Sequence, residues 1–154
     1  MLDRAPIVEV KALTKYFYLS RNRVLKAVDD VSFSIRKGQV LGLVGESGCG
    51  KTTIGRLLLR LLQPTAGEVY FDGIELTRLP RKKMRELRRR MQIVFQDPYS
   101  SLDPRMTIGG ALTTPMKVQK CYSADRRSRA VELLERVGLK ASDMDRYPHE
   151  FSGG

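Results

Sequence analysis

The feature that most constrains the fold of this sequence is a glycine-rich segment at residues 45–53, G-E-S-G-C-G-K-T-T, which lies between two apolar segments. Residues 40–44 before it (V-L-G-L-V) form a short, wholly apolar run, which is typical of a strand covered on both faces. Residues 52–62 (T-T-I-G-R-L-L-L-R-L-L) have the length and leucine content of a buried helix. This order of strand, glycine loop and helix predicts an α/β fold.

The glycine-rich segment fits the phosphate-loop pattern G-x-x-x-x-G-K-[ST] at Gly45, Gly50, Lys51 and Thr52. Glycines let the backbone curl so that successive N–H groups face an anion, and the helix that follows adds the positive end of its dipole. We expect Lys51 to reach the β- and γ-phosphates of a bound nucleotide and the Thr52 hydroxyl to bind Mg²⁺. The alternative is a glycine-rich turn with an exposed lysine. The residues predicted to bind the nucleotide are Gly45, Glu46, Ser47, Gly48, Cys49, Gly50, Lys51, Thr52 and Thr53.

Alternating apolar and polar residues elsewhere predict antiparallel strands. Residues 7–18 favour one strand with a turn or loop after it, and residues 31–35 (V-S-F-S-I) favour a half-buried strand. An Asp-Gly pair separates two alternating runs within residues 67–76, which predicts a hairpin. Residues 91–95 (M-Q-I-V-F) indicate a second buried strand.

From residue 97 onward the pattern favours helices and loops. Residues 124–137 place apolar side chains at helical spacing, with Ser123 or Asp125 as a cap and Gly138 as the end of the helix. We therefore expect a separate helical subdomain in this part of the chain.

The sequence carries a large excess of basic residues, with 28 Lys and Arg against 17 Asp and Glu and a formal net charge of +11 over 154 residues. The excess is concentrated at residues 78–90, where eight Lys or Arg residues accompany one acid, Glu86. Such a run can bind nucleic acid or anionic lipid, although the solvated face of a helix is the commoner explanation. Charge alone therefore identifies no partner.

The composition is typical of a folded domain in a reducing compartment. Hydrophobic residues make up 42% of the chain, which argues against disorder. Two cysteines, Cys49 and Cys121, are too few for a disulfide framework. The first residues are charged instead of forming an apolar signal core, and no run approaches the roughly 20 apolar residues of a membrane span. We expect a cytosolic location.

Three segments together resemble the ATP-binding subunits of ABC transporters, and most of all the oligopeptide/dipeptide importer branch. The phosphate loop is the first segment. Gln96 within M-Q-I-V-F-Q-D-P-Y-S-S-L-D-P-R-M-T-I-G matches the Q-loop and its surroundings in peptide importers. Residues 147–154, Y-P-H-E-F-S-G-G, match the start of the family signature. The resemblance implies an ABC-type P-loop NTPase core with an antiparallel β-subdomain over residues 1–96. It also implies the start of a helical subdomain over residues 97–154, with the C-terminal part of the fold absent.

The resemblance also implies residue roles. Lys51 and Gln96 would be catalytic, and Thr52 and Gln96 would contact Mg²⁺. An aromatic residue ahead of the phosphate loop would stack on adenine, with Phe17 as the first choice and Tyr16 as the second, unless these rings belong to the core of the first strand. The signature residues that would contact the γ-phosphate held by a second subunit are Ser152, Gly153 and Gly154.

An ATPase of this family also needs an apolar strand that ends in an acidic pair, and a switch histidine; neither is found in this sequence. The only histidine, His149, lies beside the signature. We therefore expect nucleotide binding without turnover by this chain alone, and exposed apolar faces at residues 40–44 and 91–95.

The implied function is that of an energy-coupling subunit of a di- or oligopeptide importer at the cytoplasmic face of the membrane. Its partners would be transmembrane permease subunits and a second ATP-binding subunit, in a homo- or heterodimer, with no specific nucleic acid. The alternatives are a phosphate-loop ATPase that acts on nucleic acid, and a nucleotide-binding remnant without turnover.

Overall fold

The computed structural model describes residues 5–20, 23–95 and 101–151. The chain divides into two compact units, residues 1–93 and 94–154. None of the helices in the described ranges is long and apolar enough to cross a membrane. The assignment of residues 1–96 to a nucleotide-binding core and of residues 97–154 to a helical subdomain stays a prediction.

The first unit is built on a four-stranded antiparallel sheet with the strand order β2-β1-β3-β4. Its strands are β1 (Val8–Ser20), β2 (Arg23–Ile35), β3 (Ala66–Phe71) and β4 (Ile74–Glu75). The predicted strand at residues 7–18 and the predicted hairpin are confirmed. Asp72 and Gly73 both have positive φ, 51° and 75°, which is the backbone that an Asp-Gly hairpin turn requires.

One helix packs its apolar side chains against this sheet. The helix α1 (Lys51–Leu58) buries Ile54 and Leu57, which lie three residues apart on one helix face. A shorter helix, α2 (Arg81–Leu87), buries Met84 and continues into a 3-10 turn, Arg88–Arg90. The core of the first unit consists of Val10, Leu13, Val28, Ile54, Leu57, Val69, Phe71, Leu76 and Met84.

Helix α1 is shorter than the predicted helix at residues 52–62, because the chain turns at Arg60. Arg60 has φ 50°, in the left-handed region. The N–H of Leu61 donates to the carbonyl of Arg56 at 2.8 Å, and that of Arg60 donates to Leu57 at 2.9 Å. These two bonds form a Schellman motif, which ends a helix.

The strands predicted at residues 40–44 and 91–95 are not formed, and this part of the prediction is wrong. Val40 and Val44 are 93% and 96% exposed, and Val94 is 94% exposed. A buried strand exists only where neighbouring strands accept and donate its backbone hydrogen bonds, and none of the described strands pairs with either segment. The expected exposure of the apolar faces in these two segments is observed.

Over residues 101–151, the second unit contains two helices and short 3-10 turns. Helix α3 (Ile108–Val118) and helix α4 (Arg126–Arg136) pack with a 3-10 segment, Ala141–Asp145, around Ala130, Leu134 and Met144. The helix predicted at residues 124–137 is confirmed as α4. Asp125 occupies its N-cap position without a side-chain cap bond, and Gly138, with φ 82°, ends it.

Candidate functional site

The glycine-rich loop takes its shape from glycines in the left-handed backbone region. Gly48 has φ 83° and Gly50 has φ 97°. Gly50 is also the N-cap residue of α1, so the helix begins at Lys51, directly after the loop. The sequence of the loop therefore fixes the turn and the start of the helix together, because only glycine adopts these backbone angles without strain.

The loop packs closely against β2. A Cβ atom at Gly50 would lie 2.1 Å from the carbonyl oxygen of Ala27, and one at Gly45 would lie 2.7 Å from Sγ of Cys49. Both distances are far shorter than an ordinary van der Waals contact of 3.4–4 Å. Glycine at the two fixed positions thus allows the loop to approach the sheet and to fold over Cys49.

The Lys51 side chain curls back over the loop that precedes it. Its Nζ donates to the carbonyl oxygens of Gly45 at 2.7 Å and Glu46 at 2.6 Å, and it lies 3.5 Å from Sγ of Cys49. Backbone carbonyls from the start of the loop thus hold an ammonium group at the start of α1.

The start of α1 can accept an anion. Its N-cap residue, Gly50, has no side chain to cap the first turn, and the first turn contains no acidic residue. The first N–H groups of an α-helix have no acceptor within the helix, and they carry the positive end of its dipole. Thr52 in this turn is exposed and Thr53 is half-buried. Together with Lys51, these groups suit a bound phosphate, so the residues present fit a nucleotide with its Mg²⁺.

Both aromatic candidates lie on β1, next to the strand that the loop contacts. Tyr16 pairs with Lys26 of β2, and Phe17 pairs with Leu25. These β2 residues directly precede Ala27, whose carbonyl faces Gly50. The sheet register therefore brings an aromatic pair and the glycine loop into the same region of the first unit.

Tyr16 belongs to a polar cluster that the sequence did not predict. Its hydroxyl donates to the Asp29 carboxylate. Nζ of Lys26 lies 3.2 Å from the same carboxylate and 5.1 Å from the centre of the Tyr16 ring. Lys26 and Asp29 both lie on β2, whereas Tyr16 lies on β1. The contacts of Tyr16 with these two residues therefore depend on the β1–β2 register, which a single sequence does not give. The Phe17 ring has a different neighbour, since Nζ of Lys15 lies 5.0 Å from its centre.

The hydrogen bonds within this cluster shift the pKa values of its members. The Tyr16 hydroxyl, and after it Lys26, lowers the pKa of Asp29. The Asp29 carboxylate in turn raises the pKa of Tyr16 and the pKa of Lys26. Each partner thus favours the charged carboxylate and the protonated phenol and ammonium groups at neutral pH.

Four predicted site residues, Gln96, Ser152, Gly153 and Gly154, lie outside the described residues. Their roles stay predictions. The structure brings together the loop at residues 45–53 and the strand that carries Tyr16 and Phe17.

Comparison with known proteins identifies relatives over most of the chain. The family model for ABC transporters matches residues 28–154. A putative peptide import ATP-binding protein of Brucella ovis is 50% identical over 154 residues, which cover 99% of this chain and 48% of that protein. The oligopeptide transport ATP-binding protein OppF of Bacillus subtilis is 50% identical over 151 residues, which cover 96% of this chain and 49% of that protein.

Solved structures give the same result for the fold. A dimeric ATP-binding cassette in a post-hydrolysis state, bound to ADP and Pi, matches with a TM-score of 0.76 and 29% identity over 95% of this chain and 63% of that chain. A dimeric bacterial ABC transporter cassette matches with the same TM-score and 28% identity. These matches confirm the predicted α/β fold of the ABC type, here as a partial fold.

The chain spans about half the length of the curated relatives it matches. The family model nevertheless covers most of its residues, including the whole of the glycine loop and α1. The chain therefore belongs to the ABC transporter family.

Proposed function

We propose that this chain is the nucleotide-binding part of an ATP-binding subunit that couples ATP to the import of di- or oligopeptides. The observation that carries the proposal is the placement of Lys51, whose ammonium lies over a glycine loop at the uncapped start of α1. The names of the relatives from Brucella ovis and Bacillus subtilis support the peptide substrate.

In this proposal the loop at residues 45–53 surrounds the phosphates of ATP. Lys51 would exchange the carbonyls of Gly45 and Glu46 for phosphate oxygens, which are stronger acceptors because they are charged. The exposed Thr52 hydroxyl would hold Mg²⁺, with Gln96 as a second Mg²⁺ contact. The ADP and Pi in a structural relative support nucleotide binding at a cassette of this kind.

Removal of the Lys51 ammonium tests nucleotide binding. We expect Lys51→Ala to weaken the binding of a fluorescent ATP analogue by about tenfold or more, since hydrogen bonds to charged groups contribute roughly 1.5–3 kcal/mol each. Lys37→Ala is the matched control, because Lys37 is an exposed lysine in the turn after β2 and its loss changes the net charge equally. Equal affinities of the two variants would contradict the assignment of the loop.

The adenine is proposed to stack on Phe17. The hydroxyl of Tyr16 donates a hydrogen bond to Asp29, whereas the Phe17 side chain can neither donate nor accept one. We expect Phe17→Ala to weaken the binding of ATP but not of inorganic triphosphate, with a loss of roughly 1–3 kcal/mol by analogy with stacking on nucleic-acid bases. If Tyr16→Ala has this effect instead, the stacking residue is Tyr16.

The partners in this proposal are transmembrane permease subunits and a second ATP-binding subunit, at the cytoplasmic face of the membrane. Ser152, Gly153 and Gly154 would contact the γ-phosphate held by that second subunit. The dimeric cassettes among the structural relatives support the pairing. Co-purification of the chain with a transmembrane permease subunit of a peptide importer would test the docking. Sequence-specific binding of duplex DNA at physiological salt would favour a nucleic-acid ATPase instead, because non-specific binding weakens steeply as salt rises.

A further inference from the structure

A second possible binding site lies in the first unit, away from the glycine loop. It is a cavity of about 440 Å³ between the end of α1 and the helix α2. Small-molecule sites typically measure about 300–1,000 Å³, so the cavity is large enough for a small organic anion. Its charged lining consists of four arginines and contains no carboxylate, and these arginines are Arg60, Arg81, Arg85 and Arg88.

The arginines at the two ends of the basic run each have an acidic partner. Arg78 pairs with Glu75 at 3.5 Å, and Arg90 pairs with Asp72 at 2.6 Å. Among the residues that the structure describes, no carboxylate pairs with Arg81, Arg85 or Arg88. The two ends of the basic run are thus neutralised, whereas in the described residues no carboxylate neutralises the three arginines of the run that line the cavity.

Like charges lie close together on one face of α2 and the 3-10 turn, at Arg81, Arg85 and Arg88. They are spaced by four and three residues through α2 and the 3-10 turn, which places them one above another. Like charges at this spacing repel and destabilise a helix. A bound anion would remove the repulsion.

The backbone at Arg60 is a second, independent observation. Arg60 holds the left-handed position of the Schellman motif, with φ 50°, where glycine has the lowest conformational cost. Its guanidinium donates to the carbonyl oxygen of Leu79, in the segment that leads into α2. The chain therefore places an arginine, fixed at the wall of the cavity, at a position that favours glycine.

We propose that the four arginines form a binding site for a phosphate-bearing anion, distinct from the ATP site. Guanidinium groups bind phosphate oxygens through paired, charge-assisted hydrogen bonds. The ligand is an anion with several phosphate oxygens, either a soluble phosphate compound or the headgroup of an anionic phospholipid. The proposal does not depend on the proposed function, because none of its residues belongs to the glycine loop.

Titration with inorganic pyrophosphate tests the site in solution. All variants carry Lys51→Ala as well, so that the glycine loop contributes little to the binding. We expect the double variant Arg81→Gln with Arg85→Gln to bind about tenfold more weakly or worse, from the loss of charge-assisted bonds. The matched control is Lys82→Gln with Lys83→Gln, which removes the same charge from exposed positions of the same helix and should change the affinity by about twofold or less.

Arg60→Gly separates binding from folding. Glycine relieves the left-handed backbone at this position, so the urea midpoint should be maintained while the pyrophosphate affinity falls severalfold. The proposal would be overturned if Arg60→Gly and the arginine double variant bound both pyrophosphate and phosphatidylglycerol vesicles as tightly as the parent chain does. Equal losses in the arginine and lysine double variants would overturn it too, because they would indicate only net charge.

Sedimentation with vesicles distinguishes the two sources of phosphate. Vesicles of phosphatidylglycerol in phosphatidylcholine are compared with vesicles of pure phosphatidylcholine, using the same variants. Arginine-dependent binding to the phosphatidylglycerol vesicles supports a phospholipid headgroup, and arginine-dependent binding of pyrophosphate alone supports a soluble phosphate compound. Absence of arginine-dependent binding in both assays would refute the site.

Discussion

Substitution of Gly50 by alanine provides a direct test of the contact between the glycine loop and the sheet. The new Cβ would lie 2.1 Å from the carbonyl oxygen of Ala27, a backbone atom of β2. A side chain could rotate away from such a contact, but a backbone carbonyl in a paired strand cannot. The loop would therefore have to move by about 1.3 Å to restore an ordinary contact distance of 3.4 Å.

The expected cost of Gly50→Ala has two parts. The left-handed backbone at φ 97° costs a residue with a Cβ about 1–2 kcal/mol. The overpacking against Ala27 adds about 1–3 kcal/mol. Gly48→Ala is the matched control, because Gly48 has φ 83° but an added Cβ would meet nothing within 4 Å. We thus expect Gly50→Ala to be more destabilising than Gly48→Ala by about 1–3 kcal/mol.

The measurement is urea denaturation of both variants, followed by circular dichroism, together with titration of a fluorescent ATP analogue. Gly50→Ala should lower the urea midpoint further than Gly48→Ala does. It should also weaken nucleotide binding, since the displaced loop carries Lys51. Equal midpoints for the two variants would refute the close packing of the loop on β2.

Three other predictions address the core, pH dependence and turnover. Leu57 is 1% exposed, so Leu57→Ala should cost about 2–5 kcal/mol in urea denaturation, and a smaller cost would contradict its burial. The hydrogen bond from the Lys140 N–H, and after it that from Arg146, lowers the pKa of Asp143. The charged carboxylate therefore stabilises the fold at pH values above its ordinary pKa of about 3.9, and this stabilisation is lost as the pH falls through the lowered pKa. Asp143→Asn should therefore lower the melting temperature at pH 7, with a difference that shrinks in acid; a constant difference would contradict this. The chain alone should release phosphate from ATP no faster than its Lys51→Ala variant, because the sequence lacks an acidic pair to polarise water; steady Lys51-dependent release would contradict this.

Elements whose hydrogen bonds close within a few residues could be predicted from the sequence. The hairpin at Asp72 and Gly73 and the helix that begins at Lys51 are of this kind. Local chemistry decides each of them, because an Asp-Gly turn, a glycine cap and apolar helical spacing act over one or two turns of chain. The glycine loop, the segment around Gln96 and residues 147–154 together predicted the family, because such motifs depend on residue types at fixed spacing.

Elements that depend on distant parts of the chain could not be predicted in this way. The apolar runs at residues 40–44 and 91–95 have the composition of strands, but a strand also needs neighbours that complete its hydrogen bonds. The early end of α1 depends on the backbone at Arg60, whose side chain reaches the carbonyl of Leu79. The composition of a segment gives its preference for burial, while its surroundings decide whether that preference is met.

The sequence by itself determined the glycine loop and the start of the helix that follows it, and it predicted that this loop binds phosphate. The tertiary structure alone decided that Tyr16 contacts Asp29 and that Arg60 joins the arginines of α2 at one cavity. The physical reason is the separation along the sequence of the residues that interact. Backbone angles and helix caps are set by neighbouring residues, whereas contacts between side chains far apart in the sequence are set by strand register and by the packing of helices on the sheet.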